Sequence, residues 1–140
     1  MTRWRQLLGR EDGTSAVEFT LILPVLLLVL FGIIELGSAW YARQMMVNAS
    51  REGARFGVLL SESEVGDTEV ETRVQELLTE AGFPLEATVV STGASSATGG
   101  LVTVQVTAQC EMPVLSTVIP GVGDEQGQVT LSAETVMRHE

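Results

Sequence analysis

A single apolar stretch near the N-terminus limits what this 140-residue chain can fold into. Residues 19–34 carry no charge and consist mainly of Leu, Val and Ile. The hydrocarbon core of a bilayer, about 30 Å thick, requires roughly 20 helical residues at about 1.5 Å each. Residues 19–41 meet that length, with Glu35 as the only charge and Trp40 and Tyr41 placed like an interfacial aromatic anchor. We therefore predict a membrane-spanning helix rather than a buried core helix, because no other segment is apolar enough to surround it.

Glu18 lies at the N-terminal edge of this run, directly before Phe19. A carboxylate in hydrocarbon costs about 2.5–3.5 kcal/mol on insertion scales, so a charge here indicates a functional role. No cation lies near Glu18 in sequence, since Arg10 is two helical turns back, so a cation of another chain is the candidate partner. Cleavage after the small residue Gly13 would create an α-amine on Thr14, with Glu18 at the fifth position of the mature chain.

Sequence blocks at both ends of the chain carry a family resemblance. Residues 12–19 read Asp-Gly-Thr-Ser-Ala-Val-Glu-Phe, and residues 23–37 read Leu-Pro-Val-Leu-Leu-Leu-Val-Leu-Phe-Gly-Ile-Ile-Glu-Leu-Gly. Two further blocks are Ala-Ser-Arg-Glu-Gly-Ala-Arg-Phe-Gly at 49–57 and Leu-Ser-Ala-Glu-Thr-Val-Met-Arg-His-Glu at 131–140. These blocks resemble TadE-like pseudopilins, which are minor-pilin components of the Tad (Flp) branch of the type IV pilus machinery. The N-terminal blocks are the more specific part of the resemblance.

The resemblance implies a processing site and a function. Gly13 matches the residue before the prepilin-peptidase cut, and Thr14 would be the mature N-terminus. Glu18, followed by Phe19, matches the position-five glutamate of the family. The implied function is that of a minor pilin or pseudopilin needed to assemble a Tad (Flp, type IVc) pilus. The implied partners are the inner membrane, a prepilin peptidase, and other pilins and pilus-assembly proteins, in a homo- or hetero-oligomer.

The composition argues against nucleic-acid binding and against catalysis. The net charge is −10, whereas nucleic-acid phosphates require a basic patch. His139 is the only histidine and lies in what we expect to be a frayed tail, and Cys110 is the only cysteine. Neither a Ser-His-Asp set, a Gly-rich phosphate loop nor spaced Cys/His ligands can be found in the sequence. We therefore predict a protein that is not an enzyme and that uses no cofactor or metal.

The orientation of the helix is not decided by charge alone. Three arginines flank each side of the apolar run, so the positive-inside rule is tied. The family resemblance favours a cytoplasmic N-terminus, with the acidic domain in the periplasm or outside the cell. Two alternatives stay open: an uncleaved membrane anchor that presents a binding domain, and a secreted domain released by signal peptidase at the small residues 37–39. Release by signal peptidase is disfavoured because the apolar run is longer than the apolar core of a typical signal peptide and begins with an acid.

Two helices are predicted from the spacing of apolar residues. The membrane helix should continue outward to about residue 60 as an amphipathic helix that bends or ends at Gly53 or Gly57. After an acidic linker at 61–66, residues 67–82 predict a helix with a Thr68–Glu71 capping box. Its glutamates are expected on a solvated face. Within the membrane helix, Glu35 is interpreted either as a solvated interfacial carboxylate or as an intersubunit contact.

From residue 85 the apolar period changes to two, which predicts strands. The strands are expected from Leu85, over 101–111 and over 128–137, with Cys110 on an apolar face. Residues 92–100 and 112–127 are predicted to be loops, the second with a hydrophobic patch tucked onto the domain or offered to a partner. The expected fold is α+β and pilin-like, with about three antiparallel strands. The expected domains are a leader (1–13), a transmembrane helix with its extension (14–60) and an extracytoplasmic domain (61–140).

Overall fold

The computed structural model describes residues 10–59, 66–94 and 99–139. The order of elements is α1 (Arg10–Leu59), α2 (Asp67–Glu80), β1 (Ala87–Thr92), β2 (Leu101–Glu111), α3 (Pro113–Val118) and β3 (Gln128–Arg138). A long apolar helix, a further helix and a three-stranded antiparallel sheet confirm the predicted α+β fold. Most of the predicted leader, almost all of the acidic linker and the middle of the first predicted loop lie outside the described residues.

The helix α1 has an exposed N-terminal half and a buried C-terminal half. Leu21 is 69% exposed and Ile33 is 64% exposed, and the most apolar 18-residue window of the helix has a mean hydropathy of 2.7 with no residue buried. Within the described residues this is the one helix long and apolar enough to cross a membrane, judged by length and composition. The helix continues without interruption through Pro24.

The C-terminal half of α1 packs against both α2 and the sheet. Met46 is fully buried in a core that also contains Val70 and Val74 of α2 and Val104 and Val106 of β2. The helix does not end at its glycines, because α1 runs on to Leu59.

Gly53 and Gly57 serve a packing purpose instead. A Cβ atom at Gly53 would collide with the side chain of Val74. A Cβ atom at Gly57 would lie 3.1 Å from Val102 Cγ1 and 3.2 Å from Val70 Cγ2. The glycines lower the helix propensity, and they also allow the closest approach of α1 to its neighbours.

The sheet has the order β1-β2-β3, with both pairs antiparallel. Val106 on the central strand faces Val89 on one side and Ala133 on the other. The alternating apolar residues of β2 are buried, as the period of two predicts: Val102, Val104, Val106, Ala108 and Cys110. The buried face of the sheet covers α1, and Ser50 on α1 shares a 2.8 Å hydroxyl hydrogen bond with Thr135 on β3.

The start of α2 differs from its predicted capping box. Gly66 is the N-cap, and its N–H donates to Glu69 Oε2 at 2.8 Å, so Thr68 and Glu71 are not the capping pair. The carboxylate of Glu71 instead accepts the backbone N–H of Ser91 in β1 at 2.9 Å. Glu71 therefore joins the helix to the sheet edge, whereas the sequence alone placed it on a solvated face.

Backbone hydrogen bonds hold both the C-terminal end of α2 and the tail of the chain. Gly82 adopts a φ of +70°, which favours glycine and ends the helix where the sequence predicts. The expectation of a frayed tail at His139 is wrong. Its side chain is buried, and its N–H donates to the carbonyl of Gly100 at 2.9 Å while its carbonyl accepts from Gly99 at 3.0 Å. These bonds extend the β2–β3 pairing past the last strand residue.

Candidate functional site

The predicted processing residues lie together at the N-terminal end of α1. Gly13, Thr14, Glu18 and Phe19 are all exposed on this helix, far in sequence from its domain-packed half. Thr14 and Glu18 are four residues apart and so lie on one side of the helix. A Cβ atom at Gly13 would have no neighbour within 4 Å. The structure places these residues on one exposed stretch of α1, and their roles stay predictions.

Between Glu18 and the domain, α1 presents apolar side chains on every side. Its exposed residues include Leu26, Val29, Phe31, Ile34 and Leu36. A helix that is apolar all round is either a core helix or a membrane span. Since none of the most apolar window is buried here, this part of α1 is a candidate membrane span by its length, composition and exposure. From Glu18 to Glu35 the helix rises about 25 Å, close to the thickness of a hydrocarbon core.

Glu35 binds the N-terminus of α3. Its Oε1 accepts the N–H of Val114 and its Oε2 accepts the N–H of Leu115, each at 2.9 Å. The first amides of a helix have no partner within the helix, and their partial positive charge favours a carboxylate. Glu35 is half-buried by this contact. The interpretation of Glu35 as a solvated carboxylate is therefore replaced by an intrachain contact, and the intersubunit contact stays a hypothesis.

The helix α3 itself was missed, because the sequence from 112 to 127 was predicted to be a loop. It begins with Pro113 at its first turn, a position that suits proline, and it has no buried residue. Leu115 packs over Gly32 of α1, where an added Cβ atom would lie 3.5 Å from Leu115 Cδ2. The missing side chain at Gly32 thus leaves room for α3 of the same chain to lie against α1. A Cβ atom at Gly37 would have no neighbour within 4 Å.

An apolar groove with a volume of about 440 Å³ lies between α1, α3 and β3. Its floor and walls are formed mainly by apolar side chains, with Arg43 as its one cation: Leu36, Ala39, Trp40, Met112, Leu115, Ile119, Val122, Val129 and Leu131. The groove opens beside the exposed apolar half of α1, so the two surfaces are continuous. We call it the α1–α3 groove.

The buried thiol of Cys110 lies close to this region. Burial raises the pKa of Cys110, and the carboxylates of Glu35 and Glu111 raise it further. The thiol is therefore held protonated at neutral pH, and its burial agrees with the predicted position of Cys110 on an apolar face. Among the described residues no group of three or more His, Cys, Asp or Glu side chains could hold a metal ion.

The described residues define a protein with one candidate membrane span and a small α+β domain packed on the end of the same helix. The model of the family described as TadE-like protein matches residues 13–55, which confirms the resemblance predicted from the N-terminal blocks. The matched segment contains the exposed half of α1 and most of its domain-packed half. The match covers 43 of the 140 residues, so it shows a likeness of the N-terminal segment to this family. No match was found among curated proteins or among solved structures.

Proposed function

We propose that this protein is a minor pilin or pseudopilin needed for assembly of a Tad (Flp, type IVc) pilus. The observation that carries the proposal is the exposed apolar half of α1, which lies within the TadE-like match and has Glu18 at its N-terminal end. Helices of this kind can pass from lipid into contact with other apolar helices without exposing their side chains to water. The domain would remain outside the bilayer, with its core completed by the same helix.

The proposed topology follows from this assignment. Residues 1–13 are the cytoplasmic leader, residues 14–60 contain the span in the inner membrane, and residues 61–140 form a domain in the periplasm or outside the cell. The acidic composition of the chain suits the aqueous side of a membrane better than its interior. Adhesion and secretion would be functions of the assembled pilus system and not of this chain alone.

Processing by a prepilin peptidase would release Thr14 as the mature N-terminus. Gly13 precedes the cut, and the absence of a side chain there would allow the backbone to enter the active site of the peptidase. The open surroundings of Gly13 support this assignment, because a larger side chain would disturb no packing within the described part of this protein. The effect of a substitution at Gly13 would therefore report on the peptidase.

Glu18 would act between chains once the leader has been removed. The new α-amine of Thr14 is a cation at the edge of the hydrocarbon, and Glu18 is an anion at the same edge. Pairing within one chain is sterically possible and would leave no reason to assemble. Pairing with a neighbouring pilin neutralises both charges while apolar helix surfaces pack, and a low dielectric strengthens the attraction.

The proposal is tested by the mature N-terminus of the protein purified from its native membrane. We expect Thr14, determined by intact mass and N-terminal peptide mapping. Gly13→Leu should abolish the mature form, because a branched side chain would occupy the cut site. Gly37→Leu is the matched control, since Gly37 also lies on α1 with no neighbour within 4 Å of its added Cβ, and it should be processed normally.

Other N-termini would contradict this function and favour a different one. A chain that begins at Met1 would be an uncleaved anchor that presents a binding domain. A chain that begins at Trp40 would be a domain released by signal peptidase. An unchanged mature mass in the Gly13→Leu protein would show that the cleavage site is wrong.

A further inference from the structure

The segment from α3 to Val122 is an apolar surface beside the membrane helix. We propose that residues 113–122 and the α1–α3 groove rest in the boundary between headgroups and acyl chains of the bilayer that α1 spans. The protein would then contact the outer leaflet at two places, through the span and through a short segment that lies in the membrane plane. This inference rests on the proposed membrane-spanning role of α1.

The depth of α3 supports a position at this boundary. It contacts α1 at Gly32 and Glu35, where the charge-free run of the helix ends. If Glu18 marks one edge of the hydrocarbon, Glu35 lies about 25 Å further along the helix, near the opposite edge of a core of about 30 Å. A segment attached at that level meets lipid and not bulk water.

The composition of the segment suits lipid contact. Residues 112–123 carry no charge, although the chain as a whole has a net charge of −10. Val118 is 43% exposed and Ile119 is 46% exposed, so the segment turns large apolar side chains outward. Apolar side chains that project from an otherwise polar domain mark an interaction surface. Their continuity with the exposed half of α1 identifies the bilayer as the occupant.

Several backbone amides of the segment have acceptors within the chain, which suits a region with little water. Unsatisfied amides are costly in lipid, and helix ends normally leave several of them. Here Glu35 accepts the amides of Val114 and Leu115, and Pro113 and Pro120 have no amide hydrogen. Other amides bond within the segment: Ser116 to the carbonyl of Met112 at 2.9 Å, Ile119 to that of Leu115 at 2.9 Å and Val122 to that of Ile119 at 3.2 Å.

The rim of the groove matches the headgroup layer. Trp40 and Arg43 both line the groove, and Trp40 is exposed. Tryptophan favours the membrane–water interface, and arginine can extend its charge toward lipid phosphate. Arg43 lies eight residues beyond Glu35, which places it about 12 Å further along the helix, in the region of the headgroups.

Depth-dependent fluorescence quenching tests the inference. The full-length protein is reconstituted in phosphatidylcholine–phosphatidylglycerol vesicles that contain lipids with a nitroxide close to the headgroup. A small environment-sensitive fluorophore is attached through Ile119→Cys on a Cys110→Ala background, with Val118→Cys as a second site. Val90→Cys is the matched control, because Val90 is 47% exposed on β1 but lies away from α3. Leu27→Cys, quenched with a deep nitroxide, reports on the span.

We expect quenching by the shallow nitroxide to be several-fold stronger at positions 118 and 119 than at position 90, with strong deep quenching at position 27. Quenching at 27 together with equal, weak quenching at 118, 119 and 90 would overturn the inference and leave the proposed span intact. Disulfide formation between two copies through position 119, without lipid quenching, would overturn it in favour of a second copy. Absence of quenching at 27 as well would overturn the span and this inference together.

Discussion

The two halves of α1 belong to one continuous helix and yet are built from different residues. The half before Ala39 exposes large apolar side chains, as at Leu21 and Ile33. The half from Ala39 onward buries one face in which small side chains predominate beside Met46, and Ala42 is 1% exposed while Ala54 is fully buried. A lipid-facing helix needs apolar area on all sides, whereas a domain-packed helix needs close approach on one side. The two halves therefore differ in the way that a candidate membrane span and a domain-packed helix are expected to differ.

A charge in the exposed half should have the largest effect. Leu26→Arg places a cation within the apolar run, at a cost of about 2.5–3.5 kcal/mol on insertion scales. Gln44→Arg is the matched control, because Gln44 is exposed on the domain-packed half. We expect Leu26→Arg to lower the membrane-inserted fraction strongly, measured by alkaline extraction, with Gln44→Arg unchanged. Equal extraction of both variants would mean that the two halves do not differ in their surroundings.

A methyl group in the buried half should have a somewhat smaller effect. Gly53→Ala introduces a Cβ atom that collides with Val74, and overpacking of this kind costs typically about 1–3 kcal/mol. The free energy of unfolding of the domain in detergent, measured by chemical denaturation, should fall accordingly. Gly37→Ala lies on the exposed half and should not lower it. A Gly53→Ala domain as stable as wild type would contradict the close contact between α1 and α2.

The smallest effect is expected where the two halves meet. Glu35→Gln removes the charge and replaces one acceptor with a donor, so at least one of the two α3 amides loses its partner. We expect the hydrogen exchange of Val114 and Leu115 to accelerate about tenfold, which corresponds to about 1.4 kcal/mol. Glu18→Gln, at the far end of the exposed half, should leave these amides unchanged. Equal protection of these amides from exchange in both variants would show that Glu35 does not stabilise α3.

Much of the fold was predictable because its signals are local. The alternation of β2 specifies a strand with one buried face, and Gly82 followed by Pro84 specifies the end of α2. The length and composition of the apolar run specify a long apolar helix, a candidate membrane span, whether or not the domain is known. These features depend on neighbours in sequence, so the sequence alone is enough to predict them.

The contacts that the sequence did not predict are all between distant segments. Glu35 and Val114 are 79 residues apart, and no periodicity joins them. Glu71 reaches Ser91 across a turn, and His139 is buried only because the sheet continues past β3. The sequence nevertheless contains a signal for the contact between Glu35 and Val114. A carboxylate that ends an apolar run and an uncharged segment with a proline at its start are complementary, and only the fold brings them together.

The role of Glu18 between chains is the central claim of the account, and pilus assembly tests it most directly. Glu18→Ala and Glu18→Gln are expressed in a strain that lacks the wild-type protein, and processing, membrane insertion, pilus number and crosslinking to other pilins are measured. We predict that processing and insertion stay normal while pilus number and crosslinking fall with both variants, since each removes the charge that pairs with the Thr14 amine. Normal processing with unchanged assembly would contradict the claim and leave Glu18 as a carboxylate without a partner.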